Sequence, residues 1–536
     1  MDDTNAALAA RIDEYAALLE LAGVGYYSLR AYRRAAETIR GLPVSVAELV
    51  RGGRIRQLDG IGPRIEATLR ELVETGELRE LRELEQTTSL ELAALGRLLG
   101  IGAQRALEIG RSLGIRTTAE LREATRAGRL REVRGIGPMT EARIAAALDQ
   151  PLTTTRRPLL IPEARALVEE IAQALGGVGA GDPRRWRDIS TSLAVVVASD
   201  DPADVRRRFA ELPTIVALVG DDTGLTATGL PVTLVTSPQA SFGTALVRAT
   251  GSPEYIRQLE PLPEAASEEA VFGLLGIPFV PPELREGDPS TVEPPTLVEV
   301  GQVRGDLHAH TTWSDGRATV LEMGIAARDR GYEYLAICDH TLQVSVVPGL
   351  DADALRRQAQ EIAAANAELA PFRILRGTEC DIRPDGSLDL PDDILAELEW
   401  VQISLHAGQR APRRELTKRV IEAMRHPAAR CLSHPTGRLI GHRPENALDL
   451  EQTISAALET GVALEVNGLP NRLDLRGEHV RQAIRAGVSI VCSTDAHSVR
   501  GLGVMEHSVH TARRGGATAG DVLNTLGLGE LMARRA

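Results

Sequence analysis

The segment GDLHAH at residues 305–310 ends a short apolar run in two histidines, and IVCSTDAH at residues 490–497 ends another in an aspartate and a histidine. Between them, short apolar runs alternate with stretches of helical periodicity, which is the pattern of a parallel β/α barrel. The seven runs end at GDLHAH, LAICDH, ILRGTE, WVQISLH, CLSH, ALEVN and IVCSTDAH. Because the chemistry of β/α barrels lies at the C-terminal ends of the strands, the sequence predicts a polar cluster at one end of the barrel.

The residues that end these runs are of the types that bind metal ions. Six runs end in His, Asp or Glu, the remaining run ends in Glu465 and Asn467, and all eleven histidines lie at or after position 308. His308 and His310 are two residues apart, so both side chains point to one face of a strand. Imidazole and carboxylate together suit Zn, Mn or Fe. A lone histidine is more often a packing or surface residue, but so many at strand ends favour a metal cluster. The candidate ligands are His308, His310, Asp315, His340, Glu379, His406, His434, Asp495 and His497.

Two arginines follow one of these runs, in the segment HPTGRLIGHR. The planar guanidinium groups of Arg438 and Arg443 would bind phosphate through paired hydrogen bonds. The alternative for both residues is an ordinary solvated position at the surface.

The first 150 residues read as helices and contain one motif three times, starting at Leu58, Leu98 and Val133. Each copy is an apolar residue followed by Gly-Ile-Gly and a new helix. Such a hairpin presents backbone N–H groups to a DNA phosphate, so it explains how a region with 22 Arg and 22 acidic residues would bind DNA. Glycine also caps helices routinely, which is the alternative interpretation. The candidate DNA-binding residues are Gly60, Gly62, Gly100, Gly102, Gly135 and Gly137.

The chain is predicted to have four segments. These are a helical DNA-binding domain at 1–150, a mixed domain at 158–287, a Pro-rich linker at 288–302 and the barrel at 303–536. The net charge of −13 argues against a protein coated in basic surface. No secretion signal and no apolar run of bilayer length is present, which predicts a cytoplasmic, nucleoid-associated protein without a membrane partner.

The barrel motifs resemble those of the polymerase and histidinol phosphatase (PHP) family. The match comprises His-Ala-His with Ser-Asp-Gly behind it, Cys-Asp-His, Gly-Thr-Glu, Ser-Leu-His, Ser-His-Pro and Ser-Thr-Asp-Ala-His, in family order. The resemblance implies a distorted (βα)7 barrel whose nine candidate ligands, as named above, hold three divalent ions, either Mn²⁺ or Zn²⁺, with Fe as a further alternative. It implies that Glu379 bridges the ions and that Glu379, Asp495 and His308 are the catalytic residues.

The order of hairpins, strand-containing middle and PHP barrel resembles bacterial family X DNA polymerases over essentially the whole chain. The segments LLELAGVGYYSLRAYRRAAETI, FGTALVRATGSPEY and LLGIPFVPPELRE carry this resemblance outside the barrel. It implies a helix-hairpin-helix bundle, a nucleotidyltransferase-like palm and a Mn²⁺-dependent 3′→5′ exonuclease. It also implies that the partner is DNA with gaps, nicks or 3′ ends, and that the protein acts in DNA repair.

The chain departs from that family where nucleotidyl transfer would occur. The family uses an Asp-x-Asp pair and a third Asp, but Ser192 and Ala194 stand at the pair and Thr233 at the third position. Hydroxyl and methyl groups cannot replace three carboxylates around divalent ions. The thumb-like region is shortened to about PLPEAASE, and Thr68 stands where lyase chemistry would need a lysine, since no lysine precedes Lys418. The palm is therefore predicted to be degenerate.

The sequence leaves several alternatives to a nuclease with an inactive polymerase module. One is a DNA polymerase with residual activity. A second is a phosphomonoesterase of the histidinol-phosphatase type that uses the same barrel. A third is a scaffold whose metal ions serve only stability. Exonuclease, abasic-site endonuclease and 3′-phosphatase activities are equally compatible with the motifs, and the native metals and the oligomeric state stay open.

Overall fold

The computed structural model describes residues 5–21, 26–40, 45–58, 60–87, 89–149, 154–155, 158–287, 293–343 and 347–534. The chain divides into two compact units, Met1–Pro289 and Ser290–Ala536. The start of the predicted linker, 288–292, and part of the family X-like segment at 18–39 lie outside the described residues. Among the described helices, none is both long enough and apolar enough to cross a lipid bilayer.

The first part of the first unit is helical and encloses two apolar cores. Residues such as Leu18 and Leu69 form one core, and Leu95 and Ile109 belong to the other. The second core also contains Leu225 from the sheet described below, so these helices pack on that sheet. The helices are α1 (Asn5–Leu21), α2 (Tyr26–Arg40), α3 (Val46–Arg51), α4 (Pro63–Thr75), α5 (Arg79–Thr87), α6 (Leu90–Leu98), α7 (Ala103–Leu113), α8 (Thr118–Arg126) and α9 (Pro138–Leu148).

The three Gly-Ile-Gly motifs form tight turns that lead directly into helices. The first glycines, Gly60, Gly100 and Gly135, have φ values of +86°, +69° and +81°, a region that glycine enters without steric cost. The second glycine of each motif is the N-cap of α4, α7 or α9. Pro63 and Pro138 begin two of these helices, where a missing N–H does no harm.

The remainder of the first unit contains a five-stranded sheet with helices on both faces. Across the sheet the strands follow in the order β2 (Val178–Ala180), β4 (Leu193–Ala198), β7 (Pro231–Ser237), β6 (Thr223–Leu225) and β5 (Ala217–Leu218), and β1 (Leu159–Leu160) pairs separately with β3 (Ile189–Ser190). Strands β4 and β7 are parallel, and the other neighbours are antiparallel. Alternate residues of β4 face opposite sides: Val195 joins the core with α10 and α11, whereas Val196 packs with Leu246 of α12. The elements are β1 (Leu159–Leu160), α10 (Ile161–Leu175), β2 (Val178–Ala180), β3 (Ile189–Ser190), β4 (Leu193–Ala198), α11 (Pro202–Ala210), β5 (Ala217–Leu218), β6 (Thr223–Leu225), β7 (Pro231–Ser237), α12 (Phe242–Thr250), α13 (Pro253–Leu259) and α14 (Glu268–Leu275).

The second unit is a barrel of seven parallel strands in sequential order, which confirms the predicted (βα)7 architecture. The four cysteines are buried free thiols in this unit. Its elements are β8 (Gly305–Ala309), α15 (Val320–Asp329), β9 (Tyr334–Ile337), α16 (Ala352–Leu369), β10 (Arg373–Asp381), α17 (Asp392–Glu397), β11 (Trp400–Ser404), α18 (Arg413–Met424), β12 (Cys431–Leu432), α19 (Leu450–Thr460), β13 (Ala463–Asn467), α20 (Gly477–Arg485), β14 (Ile490–Ser493), α21 (Met505–Gly515) and α22 (Leu528–Ala533).

The first and last strands are joined mainly through a side chain. Ala309, the last residue of β8, forms a single parallel bridge with Ala496, which lies beyond the end of β14. The fully buried Asn524 donates to the carbonyls of Gly305 (2.8 Å) and Cys492 (2.6 Å), and it accepts from the Cys492 N–H (3.1 Å). The side-chain amide therefore takes the place of main-chain pairing between β8 and β14, and the barrel is nearly closed.

Candidate metal centre

All nine predicted ligands lie together at the mouth of the barrel, where the strands end. His308 lies in β8 and Glu379 in β10, and the other candidates follow strand ends or lie in the loop after β8. Three overlapping groups have their ligand atoms within 4.8 Å of one another. The groups are His310 with Asp315, His340 and His497; His308 with His310 and Asp495; and His340 with Glu379 and His406.

Glu379 is at the centre of the cluster. Its Oε2 lies 3.0 Å from Nδ1 of His340 and 3.6 Å from Nε2 of His308. Its Oε1 lies 2.9 Å from Nε2 of His434 and 3.5 Å from Nε2 of His406. Because the two oxygens face different imidazoles, this one carboxylate is placed to bridge two ligand groups.

The donor set fits divalent cations. Both carboxylate oxygens of Glu379, and Nδ1 of His310 and of His340, are buried and make no hydrogen bond of normal geometry. The Nε2 atoms of His308 and His310 are 3.1 Å apart, and both rings are completely buried. Buried polar atoms without partners are costly, and nitrogen and oxygen atoms of these types are the donors that Zn²⁺ and Mn²⁺ take. Cations at the mouth would therefore satisfy atoms that the protein leaves without partners.

The charges of the cluster prepare most of these groups to bind cations. Burial alone raises the pKa values of Glu379 and Asp495, but the surrounding imidazoles outweigh it and hold both values well below the usual range. Burial and the neighbouring imidazoles lower the pKa of His310 to about 3. Burial lowers the pKa of His340, but Glu379 and Asp315 outweigh it and raise the value to about 10. At neutral pH the two carboxylates and His310 are in their metal-binding forms, whereas a metal must displace a proton from His340.

An unusual backbone conformation positions two of the candidate ligands. His434 and Asp495 have φ values of +26° and +51°, a region that non-glycine residues rarely adopt and that tends to occur at functional sites. Asp315 is carried by a tight loop that requires a glycine after it. A Cβ atom at Gly316 would lie 2.6 Å from the backbone nitrogen of Thr311, so no other residue fits there without a shift of the loop.

Two buried aspartates that the sequence interpretation missed hold candidate ligands, or the loop that carries one, in place. Asp339 accepts from the backbone N–H of Thr311 (2.8 Å) and from the Ser314 hydroxyl (2.5 Å), and so fixes the loop that carries Asp315. Asp381 lies 3.1 Å from Nδ1 of His406. Carboxylates that hold the outer nitrogen of a ligand histidine are typical of metal sites. The only signal in the sequence was their position next to His340 and Glu379.

The arginines after β12 differ in what they contact. Arg438 is buried and donates to the carbonyl of Leu473, which is a structural contact between two loops. Arg443 donates through Nε to the carbonyl of Gly437 (2.8 Å). Arg472, which the sequence interpretation missed, has Nε 3.9 Å from Oδ2 of Asp495 and a buried Nη1 without a hydrogen bond. Burial and the charge of Arg472 lower the pKa of Arg443. Arg472 therefore lies beside a candidate ligand, whereas Arg443 contacts the loop that follows His434.

The predicted polymerase positions carry no carboxylate in the first unit. Ser192 immediately precedes β4, and Ala194 in β4 is paired with Thr233 in β7. Ala194 packs on an apolar cluster that includes Leu246. Asp201, the acidic residue that follows the strand, caps α11 by accepting from the backbone N–H of Asp204. At the positions that the sequence interpretation assigned to the family's aspartates, β4 and β7 therefore carry a methyl group and a hydroxyl.

Comparison with known proteins agrees with both halves of this description. A helix-hairpin-helix domain matches residues 3–78, and a SAM-like helix-hairpin-helix tandem matches residues 90–150. The chain is 34% identical to the DNA polymerase/3′-5′ exonuclease PolX of Bacillus subtilis (strain 168), over 97% of each chain. The chain belongs to the PolX family. This confirms the family X resemblance and the helix-hairpin-helix bundle.

A second group of relatives matches only the C-terminal part of this PolX-family chain. A probable phosphatase of Acetivibrio thermocellus is 32% identical over 36% of this chain and 78% of its own length. A probable phosphatase of Thermoanaerobacter sp. (strain X514) is 28% identical over 41% of this chain and 89% of its own length. The C-terminal part of this PolX-family chain is thus similar to most of the length of these probable phosphatases.

Proposed function

We propose that this PolX-family chain is a DNA-binding, metal-dependent phosphodiesterase that removes nucleotides from 3′ ends, and that its polymerase module is inactive. The observation that carries the proposal is the convergence of nine histidine and carboxylate side chains on one barrel mouth. The helix-hairpin-helix matches and the name of the Bacillus subtilis relative support DNA as the substrate. A role in DNA repair, in the cytoplasm and at the nucleoid, is part of the same proposal.

The nine ligands would hold three divalent ions, Mn²⁺ or Zn²⁺, with Fe as a further alternative. Bound ions would supply Lewis acidity toward the phosphate oxygens and lower the pKa of an attacking water. The protein's own part is to orient the substrate. Arg443 and Arg472 would bind a phosphate beside the cluster, since two neighbouring guanidinium groups attract an anion that each can contact through paired hydrogen bonds. Arg438 has a structural role in this proposal, because its guanidinium contacts Leu473.

The sheet of the first unit supports the proposal of an inactive polymerase module. Ala194 and Thr233 face each other across β4 and β7, so neither strand offers a carboxylate at the site where two metal ions would align the primer end with a nucleotide. The helices and the sheet of this unit would then serve only to bind DNA.

The first test is incubation of 5′-labelled primer–template DNA with the full-length protein and Mn²⁺. We expect the labelled strand to shorten from its 3′ end, and we expect no extension when all four deoxynucleotides are added. The His308→Ala, His310→Ala double variant should stop the shortening, because both rings belong to the ligand groups. Extension by this nuclease-free variant would disprove the inactive polymerase module, and shortening that persists in it would disprove the assignment of the nuclease to the barrel.

A second candidate function is phosphomonoesterase activity, which the similarity to probable phosphatases favours. The same assay distinguishes the two on DNA that ends in a 3′-phosphate. Release of inorganic phosphate without loss of a nucleotide would indicate a 3′-phosphatase, whereas release of nucleoside monophosphates indicates the exonuclease.

Replacement of Arg472 by Ala tests the phosphate contact. We expect the KM for DNA to rise by about 10–150-fold, because a charge-assisted hydrogen bond contributes about 1.5–3 kcal/mol. The slope of log Kd against log salt concentration should fall by about 0.7–0.9, the value for one lost phosphate contact. Arg328→Ala is the matched control, since Arg328 is exposed and paired with Asp329 (3.0 Å). If Arg472→Ala keeps the KM and the salt slope of the parent protein, Arg472 does not bind phosphate.

A further inference from the structure

No candidate ligand lies in strand β13 or directly after it, whereas each of the other six strands holds or is followed by one. Strand β13 ends in Glu465 and Asn467. Neither residue is a candidate ligand. Both side chains are completely buried. They lie in contact with ligands rather than among them, so their contacts indicate what they do.

Glu465 contacts two ligands through its two oxygens. Its Oε1 lies 2.6 Å from Nδ1 of His308 and accepts from the hydroxyl of Ser493 (2.5 Å) and from the side-chain amide of Gln402 (3.3 Å). Its Oε2 accepts from the backbone N–H of His434 (2.6 Å). One carboxylate thus fixes the ring of His308 and the main chain at His434, although the residues are far apart in sequence.

The contact with Glu465 determines which nitrogen of His308 is available to a metal ion. A carboxylate only accepts hydrogen bonds, so Nδ1 of His308 carries a hydrogen and Nε2 is the nitrogen left to bind a metal ion. Nε2 is the atom that faces Oε2 of Glu379 (3.6 Å) and Oδ1 of Asp495 (3.7 Å). Glu465 therefore holds His308 in the tautomer and the orientation that the cluster needs.

Asn467 does the same for Asp495. Its Oδ1 accepts from the backbone N–H of Leu469 (3.0 Å), which leaves the amide nitrogen to donate to Oδ2 of Asp495 (2.9 Å). The other oxygen of Asp495, Oδ1, lies 3.1 Å from Nε2 of His310. One oxygen of this carboxylate is therefore occupied by Asn467, and the other is directed into the ligand group.

We propose that β13 is a positioning strand for the metal cluster, with Glu465 orienting His308 and His434 and with Asn467 orienting Asp495. The proposal rests on metal binding at the barrel mouth, which is part of the proposed function, but it does not depend on DNA as the substrate. Partners of this kind fix the tautomer of a ligand and raise its basicity, and their loss weakens metal binding by about 10–100-fold.

The test is titration of the full-length, metal-free protein with Mn²⁺, with free Mn²⁺ measured by electron paramagnetic resonance. We expect Glu465→Gln to weaken the binding of at least one Mn²⁺ ion by about 10–100-fold, because a neutral amide holds the Nδ1 hydrogen of His308 less strongly. Glu399→Gln is the matched control. Glu399 is a largely buried carboxylate that pairs with Arg373 and Arg376 just before β11, at the opposite end of the barrel from the ligands, and its loss should leave Mn²⁺ binding unchanged.

A second variant keeps the test decisive if Glu465→Gln does not fold. Asn467→Leu removes the hydrogen bond to Asp495 with little change of volume, and we expect about tenfold weaker Mn²⁺ binding. The rate of DNA hydrolysis by Glu465→Gln should also return to the parental value at saturating Mn²⁺. A variant whose barrel mouth is misfolded would not regain its activity in this way.

The outcomes separate the proposals. Mn²⁺ binding of parental strength in the folded Glu465→Gln and Asn467→Leu variants would overturn the positioning role, as would equal weakening in the Glu399→Gln control. A parent protein that binds Mn²⁺ without hydrolysing DNA would contradict the proposed function alone and leave the positioning test intact. A parent protein that binds no Mn²⁺ would overturn both proposals.

Discussion

Replacement of Glu379 by Gln is expected to reduce Mn²⁺-dependent hydrolysis of DNA about 1,000-fold, the largest effect of any single side chain at the barrel mouth. The reason is position: the two oxygens of Glu379 lie within 3.0 Å of His340 and of His434, which belong to different parts of the cluster. An amide carries no charge and offers one oxygen, so it cannot bridge two cations. Charge stabilisation by metal ions contributes several kcal/mol to such reactions, and about 4 kcal/mol corresponds to this factor.

The measurement is the rate of shortening of 5′-labelled DNA at saturating Mn²⁺, with binding of the same DNA followed by fluorescence anisotropy. We expect Glu379→Gln to retain the parental Kd for DNA, because the helix-hairpin-helix matches lie at residues 3–78 and 90–150. Glu397→Gln is the control, since Glu397 pairs with Arg356 on the exposed side of the barrel. Parental rates in Glu379→Gln would exclude a catalytic cluster at the mouth. Absence of hydrolysis even in the parent protein would favour the scaffold.

The barrel was readable from the sequence because its strands are buried on both sides. Runs such as LAIC before His340 are continuously apolar, as expected for parallel strands covered by helices. Polar residues are then concentrated where the runs end, so the ends of the runs mark the mouth. The nine side chains do lie there together, whereas their role as metal ligands stays a prediction until metal binding is measured.

The supporting groups could not be read in the same way. His308 and Glu465 are separated by 157 positions and His406 and Asp381 by 25, and only the neighbourhood of strands in the folded barrel brings each pair together. Arg472 belongs to no recognisable motif, yet it lies beside Asp495. Arg438 was predicted to bind phosphate through its planar guanidinium, and nothing in the sequence indicated that this group donates to the carbonyl of Leu473. Contacts between distant loops decide these roles.

In the first unit, the sequence was most informative where glycine is required. The three Gly-Ile-Gly motifs adopt positive φ values at Gly60, Gly100 and Gly135, which few other residues tolerate. The degenerate palm stays a prediction from residue types, and strand register adds that Ala194 lies opposite Thr233. The ion pairs inside this unit were not visible, because the sequence gives no indication of which of its many arginines is buried.

Replacement of Arg285 by Ala is expected to destabilise the first unit by about 3–5 kcal/mol, the cost of removing one partner of a buried ion pair. The Arg285 side chain is completely buried and pairs with Glu268. Its Nε donates to the carbonyl of Val280 (2.8 Å), and its guanidinium lies 5.2 Å from the ring centroid of Phe272. The truncation leaves a cavity and deprives Glu268 of one cation, although Arg184 still pairs with that carboxylate at 2.6 Å.

Differential scanning calorimetry of the full-length protein measures this effect, and Mn²⁺ identifies the transition to which it belongs. Ligands raise the Tm of the unit that binds them, so added Mn²⁺ should shift the transition of the barrel and leave that of the first unit in place. We expect Arg285→Ala to lower only the Mn²⁺-insensitive transition, by roughly 10 °C for a unit of this size. Arg257→Ala removes an exposed pair with Glu254 (3.2 Å) and should change the unfolding free energy by no more than about 0.5 kcal/mol. If Arg285→Ala shifts the Mn²⁺-sensitive transition, or if Arg285→Ala and Arg257→Ala have equal effects, the predicted role of Arg285 is wrong. The first unit would then owe little of its stability to the buried ion pair.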